Sequence, residues 1–390
     1  MKLPTQAEII INKLEKAGFE AFAVGGCVRD TLMGRTPGDW DICTSALPSQ
    51  VEKVFEAERV VETGLKHGTV TLVLDHIPYE ITTYRTEGEY KDFRRPESVC
   101  FVGDIREDLS RRDFTVNAMA YSPKKGIVDL FEGEKDLEKK LIRCVGNPEK
   151  RFSEDALRIL RGLRFASVLG FEIETETAQA ILSLRGLLKN ISAERINVEF
   201  TKLLSGKNRK EILVEFKPVF EEILPFPFKG DWETAVEKAV TSSNIPYVKA
   251  ALFHFLYHDH ERVREALRGL KSTNELTFFC VNFSKYFDLP LPHTVEDTLK
   301  NLNLAGYDIY HAITLFKGET KTLEMLDEIK EKNLCYHVHQ LEINGKDLLN
   351  LGFSGKMVGE ILEKLLFMVM EGKTENKKEA LIKCAEILKG

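Results

Sequence analysis

The fold of this chain is decided near its start by the stretch Ala23-Val-Gly-Gly-Cys-Val-Arg-Asp30, which Gly38-Asp-Trp-Asp-Ile42 soon follows. Its apolar beginning predicts a short strand that ends at Gly25 and Gly26, and a helix is predicted to begin soon after. Because glycine has no side chain, the backbone N–H groups of this turn can approach a phosphate closely. The N-terminal dipole of the helix and the guanidinium of Arg29 would add positive charge there. The stretch therefore predicts a phosphate-binding turn between a strand and a helix.

Two aspartates stand one residue apart in the second part of this stretch. In an extended segment Asp39 and Asp41 point to the same face, since side chains alternate along a strand. Carboxylate oxygens are hard ligands suited to Mg²⁺, and Glu80 on a neighbouring predicted strand could supply a third oxygen. A lone pair of this kind is more often a solvated strand edge or a turn. Here the order of strand, Gly-Gly, Arg-Asp and Asp-x-Asp favours a catalytic site of these three carboxylates, with Asp39 and Asp41 as the metal ligands.

A second polar block is Arg111-Arg-Asp-Phe-Thr-Val-Asn-Ala-Met119. Arg112 can serve a triphosphate, and Asp113 could accept a hydrogen bond from a ribose hydroxyl and so favour ribonucleotides. The same residues could instead form a surface cluster at a junction between a strand and a helix, with Asp113 as the helix cap. The block by itself leaves both interpretations open.

A helix is predicted for the third block, Ser153-Glu-Asp-Ala-Leu-Arg-Ile-Leu-Arg-Gly-Leu-Arg164. Ser153 is its expected N-cap, because serine often accepts a hydrogen bond from the first turn of a helix. Asp155 and Arg158 are three residues apart and are therefore expected on one helical surface, where two further arginines continue a basic strip. On an isolated helix such charges would normally form a solvated face with a weak ion pair.

Asp155 and Arg158 have a second possible use, because together they match one edge of a nucleobase. Cytosine and adenine both present an amino group beside a ring nitrogen on the Watson–Crick edge. A carboxylate accepts from the amino group, while a guanidinium donates to the ring nitrogen. Uracil and guanine reverse this pattern, and an unpaired buried polar group costs about 1–3 kcal/mol, or about 10- to 100-fold per mismatch. The two residues could therefore select C and A without a nucleic-acid template.

Length and composition exclude several classes of protein. The chain of 390 residues is long enough for two or three compact units. No apolar run reaches the roughly 18–20 residues of a membrane helix, and the N-terminus lacks the pattern of a secretory signal. The seven cysteines are scattered singly, which indicates reduced thiols in a cytoplasmic protein rather than a disulfide or zinc framework. The net charge of −6 argues mildly against nucleic acid, although local clusters of Lys and Arg decide phosphate binding.

Strand and helix signals are distributed unevenly along the chain. About the first 145 residues mix both and include a predicted hairpin of Thr69–Leu74 and Tyr79–Tyr84. A further short strand is predicted at Trp40–Cys43. From about Arg151 onward helical periodicity replaces the strand signal and continues to the end. This distribution predicts an α+β domain followed by a helical region.

The first block, with its Gly-Gly, Arg-Asp and Asp-x-Asp, resembles the signature of polymerase-β-like nucleotidyltransferases, and two further blocks follow it. Together with Ala193-Glu-Arg-Ile-Asn-Val-Glu-Phe-Thr-Lys-Leu-Leu204 they look like the bacterial class II tRNA nucleotidyltransferase/poly(A) polymerase family. The resemblance covers residues 1–205, and further on Ile343-Asn-Gly-Lys-Asp-Leu-Leu349 also looks like the tail of that family. It implies an α+β fold with a polymerase-β-like head domain, followed by an elongated all-helical neck, body and tail. The expected bounds are 1–145 for the catalytic head, 146–206 for the neck that recognises the base, 207–320 for the body and 321–390 for the tRNA-binding tail.

The blocks and the resemblance together imply a set of site residues and partners. Those expected to bind the nucleotide are Gly25, Gly26, Arg29, Arg112, Asp113, Asp155, Arg158, Arg161 and Arg164. Within this set Asp155 and Arg158 would read the base and Asp113 would contact the ribose. Asp39 and Asp41 would hold the catalytic Mg²⁺. The implied partners are CTP, ATP and the acceptor and T arms of tRNA, with no membrane and no protein partner.

Two segments favour one activity within this family. Tyr84-Arg-Thr-Glu-Gly-Glu-Tyr-Lys-Asp-Phe-Arg-Arg-Pro96 resembles the loop that CCA-adding members need for terminal A addition, and Gly64-Leu-Lys-His-Gly-Thr69 resembles their version of a nearby strand. The expected function is template-independent addition of C, C and A to the tRNA 3′ end, with release of diphosphate. The alternatives are an A-adding enzyme, a poly(A) polymerase working on general RNA ends, or a non-catalytic RNA-binding protein that retains the fold. His258-Asp259 could suggest a phosphohydrolase metal site, but its apolar context favours a residue pair in a helix.

Overall fold

The chain folds as two compact units. One consists of Met1–Pro227 with Gly269–Lys271, and the other of Phe228–Arg268 with Ser272–Gly390. The structure, a computed structural model, describes residues 1–88, 99–225 and 227–389. No helix in these ranges is long and apolar enough to cross a membrane. The finer division into head, neck, body and tail stays a prediction.

The first unit contains a mixed β-sheet. The strands of the described residues are β1 Ala21–Val24, β2 Ile42–Thr44, β3 Arg59–Gly64, β4 Thr69–Leu74, β5 Ile77–Thr83, β6 Arg85–Glu87, β7 Val99–Phe101, β8 Met119–Ser122, β9 Gly126–Asp129, β10 Leu141–Ile142 and β11 Glu172–Ile173. Seven of these form one sheet in the order β3-β4-β5-β2-β1-β8-β9. β1 is antiparallel to β2 and β8, whereas β2 and β5 are parallel. The strands β6 and β7 form a separate antiparallel ribbon.

Most of the remaining chain is helical. The α-helices of the described residues are α1 Thr5–Lys16, α2 Gly26–Leu32, α3 Pro48–Val54, α4 Ile105–Ser110, α5 Gly133–Lys139, α6 Pro148–Glu154, α7 Leu157–Leu169, α8 Thr175–Leu184, α9 Ala193–Leu204, α10 Arg209–Glu215, α11 Lys217–Ile223, α12 Trp232–Ala239, α13 Ile245–Tyr257, α14 His260–Gly269, α15 Asn274–Tyr286, α16 Val295–Ala305, α17 Tyr307–Lys317, α18 Thr320–Glu331, α19 Gly345–Asn350, α20 Lys356–Met370 and α21 Lys378–Lys389. After residue 146 the helical pattern is interrupted by β11, which pairs in parallel with β10. The predicted α+β fold is thus confirmed.

The interior strand β1 contributes to two apolar cores. Ala21 and Ala23 pack in a core with residues of α1, α2 and α3, whereas Phe22 and Val24 pack in a smaller core with Leu109 of α4. The two sets separate because successive side chains of a strand point to opposite faces. Both faces of the sheet centre are therefore covered, which leaves the end of β1 as the place where polar groups can gather.

The predicted hairpin forms with a tighter turn than the sequence indicated. Leu74 pairs with Ile77, so that Asp75 and His76 alone form the turn. Both have positive φ angles, 49° and 64°, as a two-residue type I′ turn requires. The second strand therefore begins two residues before the predicted start at Tyr79.

The His258-Asp259 pair lies between two helices and not inside one, which corrects the prediction. His258 ends α13 with a φ of 47°, a left-handed conformation that stops the helix. The Oδ1 of Asp259 accepts the N–H of Glu261 at 2.9 Å and so caps α14. Both residues are accounted for by the helix ends that they form.

His254 of α13 is buried among aromatic rings in the second unit. Its ring centroid lies 4.1 Å from that of Phe287, and its Nδ1 lies 3.1 Å from Oγ of Ser284. Burial, with a smaller contribution from His258, lowers the pKa of His254 from 6.5 to about 4, although Asp288 acts in the opposite direction. The folded chain therefore resists protonation of this imidazole.

We expect the stability of the second unit to fall as the pH drops from about 6.5 to about 4. In that window the unfolded chain binds a proton at His254 and the folded chain does not, which costs up to about 3 kcal/mol. Urea unfolding at several pH values measures this loss, with Trp232 as the sole tryptophan in a Trp40→Phe background. His254→Gln should remove the pH dependence, whereas the exposed-site control His293→Gln should keep it. Identical pH profiles for both variants would contradict the assignment.

Candidate active site

A glycine turn joins β1 to α2 beside the centre of the sheet. Gly25 has φ 81° and ψ −129°, a conformation that strongly favours glycine. Its N–H donates to the carbonyl of Met119 on β8 at 3.1 Å. This amide is therefore engaged within the sheet, and Gly26 remains the candidate for the predicted phosphate contact. A Cβ atom on Gly25 would lie 3.0 Å from Nη1 of Arg112. The missing side chain therefore lets the Arg112 guanidinium rest against the turn.

The two aspartates of the Asp-x-Asp pair precede β2. The strand begins at Ile42, later than the predicted Trp40–Cys43, so Asp39 and Asp41 lie in the irregular segment before it. Both side chains are exposed. The backbone carbonyl of Asp41 accepts the N–H of Val24 at 3.0 Å, which fixes this residue beside the end of β1. The carboxylate pair and the glycine turn are thus neighbours.

The Asp41 carboxylate is perturbed by other carboxylates. Although its side chain remains accessible, loss of hydration raises its pKa from 3.8 to about 6, and Asp39 and then Glu80 act in the same direction, while Arg112 opposes them. Asp39 and Glu80 therefore lie close enough to repel the charge of Asp41. A divalent cation would relieve this repulsion, and carboxylate oxygens are the ligands that Mg²⁺ prefers.

The carboxylates alone do not make a closed metal cage. Among the described residues no group of three or more His, Cys, Asp or Glu side chains is arranged to hold an ion. Mg²⁺ commonly binds through one or two carboxylates and completes its shell with waters and substrate phosphates. The donor set of Asp39 and Asp41 fits that manner of binding.

Arg112 is anchored by a buried carboxylate on α4. Its Nη2 lies 3.2 Å from Oδ2 of Asp108, and Nη2 of Arg111 lies 2.8 Å from Oδ1 of the same residue. Burial opposes ionisation of Asp108, but the two guanidinium groups outweigh it and lower its pKa. Arg112 is therefore held in place by Asp108, and its buried Nε makes no hydrogen bond within the described ranges.

Asp113 connects two arginines that the sequence assigned to the nucleotide. Its Oδ2 accepts from Nε of Arg161 at 2.7 Å, and its Oδ1 accepts from Nδ2 of Asn117 at 3.4 Å. The Oδ1 of Asn117 in turn accepts from Nη1 of Arg29 at 2.5 Å. Burial opposes ionisation of Asp113, but Arg161 and then Arg158 lower its pKa to about 2. A ribose hydroxyl would have to share Asp113 with Arg161.

The helix predicted from Ser153 is interrupted, which corrects the sequence interpretation. α6 ends at Glu154 and α7 begins at Leu157, so Ser153 lies in the last turn of α6 and does not cap α7. Asp155 has extended backbone angles, φ −134° and ψ 104°, and its Oδ1 accepts the N–H of Leu157 at 3.1 Å. A short carboxylate can break a helix in this way because it competes for the backbone amides. Asp155 therefore stands in a helix junction.

Asp155 and Arg158 nevertheless line the same cavity. Nη1 of Arg158 donates to Oε2 of Glu154 at 2.6 Å and to the carbonyl of Arg151 at 3.0 Å. Oδ2 of Asp155 accepts from Nη2 of Arg195 at 3.0 Å. Each of the two side chains is thus directed by a partner of its own.

The cavity has a volume of about 260 Å³ and gathers most of the predicted nucleotide-binding side chains. Its lining consists of Arg111, Arg112, Asp113, Asp155, Leu157, Arg158, Arg161 and Arg195. Arg164 is absent from this lining and instead forms an ion pair with Glu199 of α9 at 2.5 Å. The sequence missed Arg111 and Arg195, although both stand in the quoted blocks. Their presence in those blocks was the only signal in the sequence. The contact between Arg195 and Asp155, for example, spans 40 residues and cannot be inferred from spacing.

Comparisons with known proteins agree on one family. The poly A polymerase head domain matches residues 21–143, the probable RNA and SrmB-binding site of polymerase A matches 170–225, and the putative tRNA nucleotidyltransferase domain 2 matches 241–385. The CCA-adding enzyme of Leuconostoc mesenteroides is 37% identical over 386 residues, which cover 97% of this chain and 95% of that enzyme. The chain belongs to the family of CCA-adding enzymes.

Other members of the CCA-adding family support this assignment. The enzyme of Bacillus subtilis is 37% identical over 394 residues, which cover 95% of this chain and 94% of that enzyme. The crystal structure of the Bacillus stearothermophilus CCA-adding enzyme in complex with CTP superposes with a TM-score of 0.84 at 33% identity, covering 100% of this chain and 98% of the other. The Thermotoga maritima CCA-adding enzyme complexed with tRNA shares the fold, with a TM-score of 0.72 at 23% identity over 99% of this chain and 95% of the other. The predicted family is confirmed.

Proposed function

We propose that this protein adds C, C and A to the 3′ end of tRNA from CTP and ATP, without a nucleic-acid template and with release of diphosphate. The observation that carries this function is the cavity in which Asp155 and Arg158 stand beside Arg112 and Arg161. A carboxylate next to a guanidinium suits a base edge, and further guanidinium groups suit a triphosphate. One nucleotide at a time would occupy this cavity.

Base selection follows from the hydrogen-bonding character of Asp155 and Arg158. Asp155 accepts from the amino group of cytosine or adenine, and Arg158 donates to the ring nitrogen beside it. Both side chains are already directed by protein partners, so little ordering is left to the moment of binding. Uracil and guanine would place a carbonyl against Asp155 and an N–H against Arg158. Each such mismatch costs about 1–3 kcal/mol.

The carboxylates provide the site of phosphoryl transfer. Asp39 and Asp41 would hold Mg²⁺, and the charge of Glu80 would add to the acidic character of the site. When bound, the metal would activate the primer 3′-hydroxyl and neutralise charge on the triphosphate. The backbone contact between Asp41 and Val24 keeps these carboxylates next to the glycine turn. Direct displacement at the α-phosphorus then needs no covalent link to the protein.

The arginines around the glycine turn orient the triphosphate. Arg112 lies against Gly25 and is held by Asp108, so its guanidinium would be fixed in place to bind phosphate oxygens. Gly26 opens α2 and adds the amides of the helix N-terminus. Arg29 and Arg161 are linked through Asn117 and Asp113, and Asp113 would contact the ribose. Arg164 acts indirectly, by joining α7 to α9.

We expect Gly25→Ala to weaken both the fold and nucleotide binding. The positive φ of Gly25 strains any other residue by about 1–3 kcal/mol, and the added Cβ would displace the Arg112 guanidinium. The melting temperature should fall, and KM for CTP should rise by about tenfold, as for loss of one charge-assisted hydrogen bond. Steady-state kinetics and thermal unfolding measure both effects.

Gly18→Ala is the matched control for this substitution. Gly18 also has a positive φ, 90°, but a Cβ atom there would meet nothing within 4 Å. It should lower the melting temperature and leave KM unchanged. If the two variants raise KM equally, the contact between Gly25 and Arg112 has no role in binding.

The protein would bind the acceptor and T arms of the tRNA. Within the expected bounds, the head would catalyse the transfer, the neck would recognise the base and the tail would bind the tRNA. The part of the predicted A-addition loop at residues 89–96 lies outside the described residues. All seven cysteines are free thiols, which fits a reducing cytoplasm. We therefore assign the protein to the cytoplasm.

The function is tested by incubating the protein with Mg²⁺, CTP and ATP on three tRNAs, which end before the first C, after CC, and after CCA. We expect completion of CCA on the first two and arrest on the third. Extension of the CC-ending tRNA alone would indicate an A-adding enzyme, and continued growth of the complete tRNA a poly(A) polymerase. Absence of any incorporation would leave an RNA-binding protein that retains the fold.

A further inference from the structure

The aromatic ring of Phe165 stands among three guanidinium groups. Phe165 lies on α7 and is buried. The Cζ of Arg164 lies 3.9 Å from its ring centroid, and those of Arg29 and Arg161 lie 5.3 and 5.4 Å from it. Phe114 packs edge-on against the same ring, with centroids 5.8 Å apart and an interplanar angle of 77°. The ring thus gathers cations from both α2 and α7.

Each of these cations also has an anionic partner. The pairs are Arg29 with Asp30 at 2.9 Å, Arg161 with Asp113 at 2.6 Å and Arg164 with Glu199 at 2.5 Å. The carboxylates offset the positive charges. Each carboxylate contacts nitrogen atoms at the edge of a guanidinium group and leaves the faces of that group uncovered by it. An aromatic face supplies a different contact, since its negative quadrupole attracts a cation and its flat surface packs against the guanidinium plane.

Phe165 also contacts both ends of a buried polar chain. That chain runs from Arg29 through Asn117 and Asp113 to Arg161. Asn117 and Asp113 are both buried, so their hydrogen bonds have strict directions. The ring therefore joins α7 to α2 at the place where the two terminal arginines are held.

We propose that Phe165 is a positioning residue for nucleotide binding: its ring holds the guanidinium groups of Arg29 and Arg161 in the direction that the triphosphate requires. This role rests on the proposed function and deepens it. Leucine at position 165 would fill much of the same volume but would offer no negatively charged face. Tyrosine would keep the face.

The residues that read the base depend on other partners. Asp155 is held by Arg195, and Arg158 is held by Glu154 and by a backbone carbonyl. The cations that lie over the Phe165 ring are instead Arg29, Arg161 and Arg164. Loss of the ring should therefore weaken the binding of every nucleotide alike, without changing the preference for C and A over U and G.

The test compares Phe165→Leu and Phe165→Tyr with the wild-type enzyme in single-nucleotide addition. For Phe165→Leu we expect KM for both CTP and ATP to rise about 5- to 30-fold, as for loss of one or two guanidinium–ring contacts, with kcat changed by less than about threefold. The ratio of kcat/KM between CTP and UTP should stay unchanged. Phe165→Tyr should keep KM within about twofold of the wild type.

Phe216→Leu is the matched control for loss of a buried ring. Phe216 lies in the same unit and is 1% exposed, and it follows α10 without lining the cavity. Its substitution should lower the melting temperature without raising KM. A purely structural role of Phe165 would likewise lower the melting temperature and leave KM unchanged. That outcome, or an equal rise of KM in the leucine and tyrosine variants, would overturn the proposal.

The wild-type enzyme separates this proposal from the function on which it rests. If the wild type incorporates neither CTP nor ATP, the proposed function is wrong. If the wild type is active and Phe165→Leu has the same KM for both nucleotides, only the role of Phe165 is wrong. Measurement of CTP affinity without tRNA gives a second reading of the same effect.

Discussion

Asp41→Asn is expected to lower kcat for CTP addition by about 10³-fold or more, because it removes half of the carboxylate pair that would hold the metal. Asparagine has nearly the same shape but carries no charge, so the fold should be kept. CTP affinity measured without a divalent ion should not fall. Without a metal Asp41 would repel the triphosphate. Loss of hydration raises its pKa, and Asp39 and Glu80 add to that shift. Single-turnover addition with Mg²⁺ measures the loss.

Asp75→Asn is the control for the same change of charge. Asp75 stands in the turn between β4 and β5 with a φ of 49°, a conformation that asparagine adopts readily. Its substitution should leave kcat within about twofold of the wild type, as is usual for exposed turn positions. An Asp41→Asn enzyme with wild-type activity would remove the carboxylate pair from the mechanism.

Asp155→Ala is expected to abolish most of the selectivity for C and A. Without the carboxylate, no acceptor is left for the amino group of cytosine or adenine, and no lone pair opposes the carbonyl of uracil. The ratio of kcat/KM for CTP over UTP should fall by about 10- to 100-fold. Competition between the two nucleotides on a tRNA that lacks CCA measures this ratio directly.

Two further variants isolate the base contact. Glu149→Ala removes an exposed carboxylate from the neighbouring helix α6, where it lines a different cavity, and should leave selectivity unchanged. Arg195→Met should reduce selectivity only in part, because Asp155 remains but loses the partner that directs it. Unchanged selectivity in Asp155→Ala would refute base reading by this residue.

The sequence predicted those features that depend on local patterns. The alternation of side chains predicted the hairpin of β4 and β5. The apolar run before Gly25 predicted β1 and the turn that follows it. The exact ends were less predictable, since a two-residue turn at Asp75 and His76 depends on their positive φ angles. The break at Asp155 was missed for a similar reason: the side chain replaces a helical hydrogen bond, and the helical period of the flanking residues gives no sign of it.

The contacts that assemble the site were beyond the reach of sequence spacing. Arg195 donates a hydrogen bond to Asp155, 40 residues away in the sequence, and Arg161 donates to Asp113, 48 residues away. Arg164 shares the basic strip of α7 with Arg161, yet it pairs with Glu199. Only the packing of α7 against α9 separates the arginine that faces the cavity from the one that does not.

The central claim is that one cavity, read by Asp155 and Arg158, serves both C and A. Isothermal titration of the full-length protein with CTP and ATP tests it most directly. We expect each nucleotide to bind once per chain and to displace the other, with UTP and GTP failing to compete at the same concentrations. Simultaneous binding of CTP and ATP to one chain would contradict the claim.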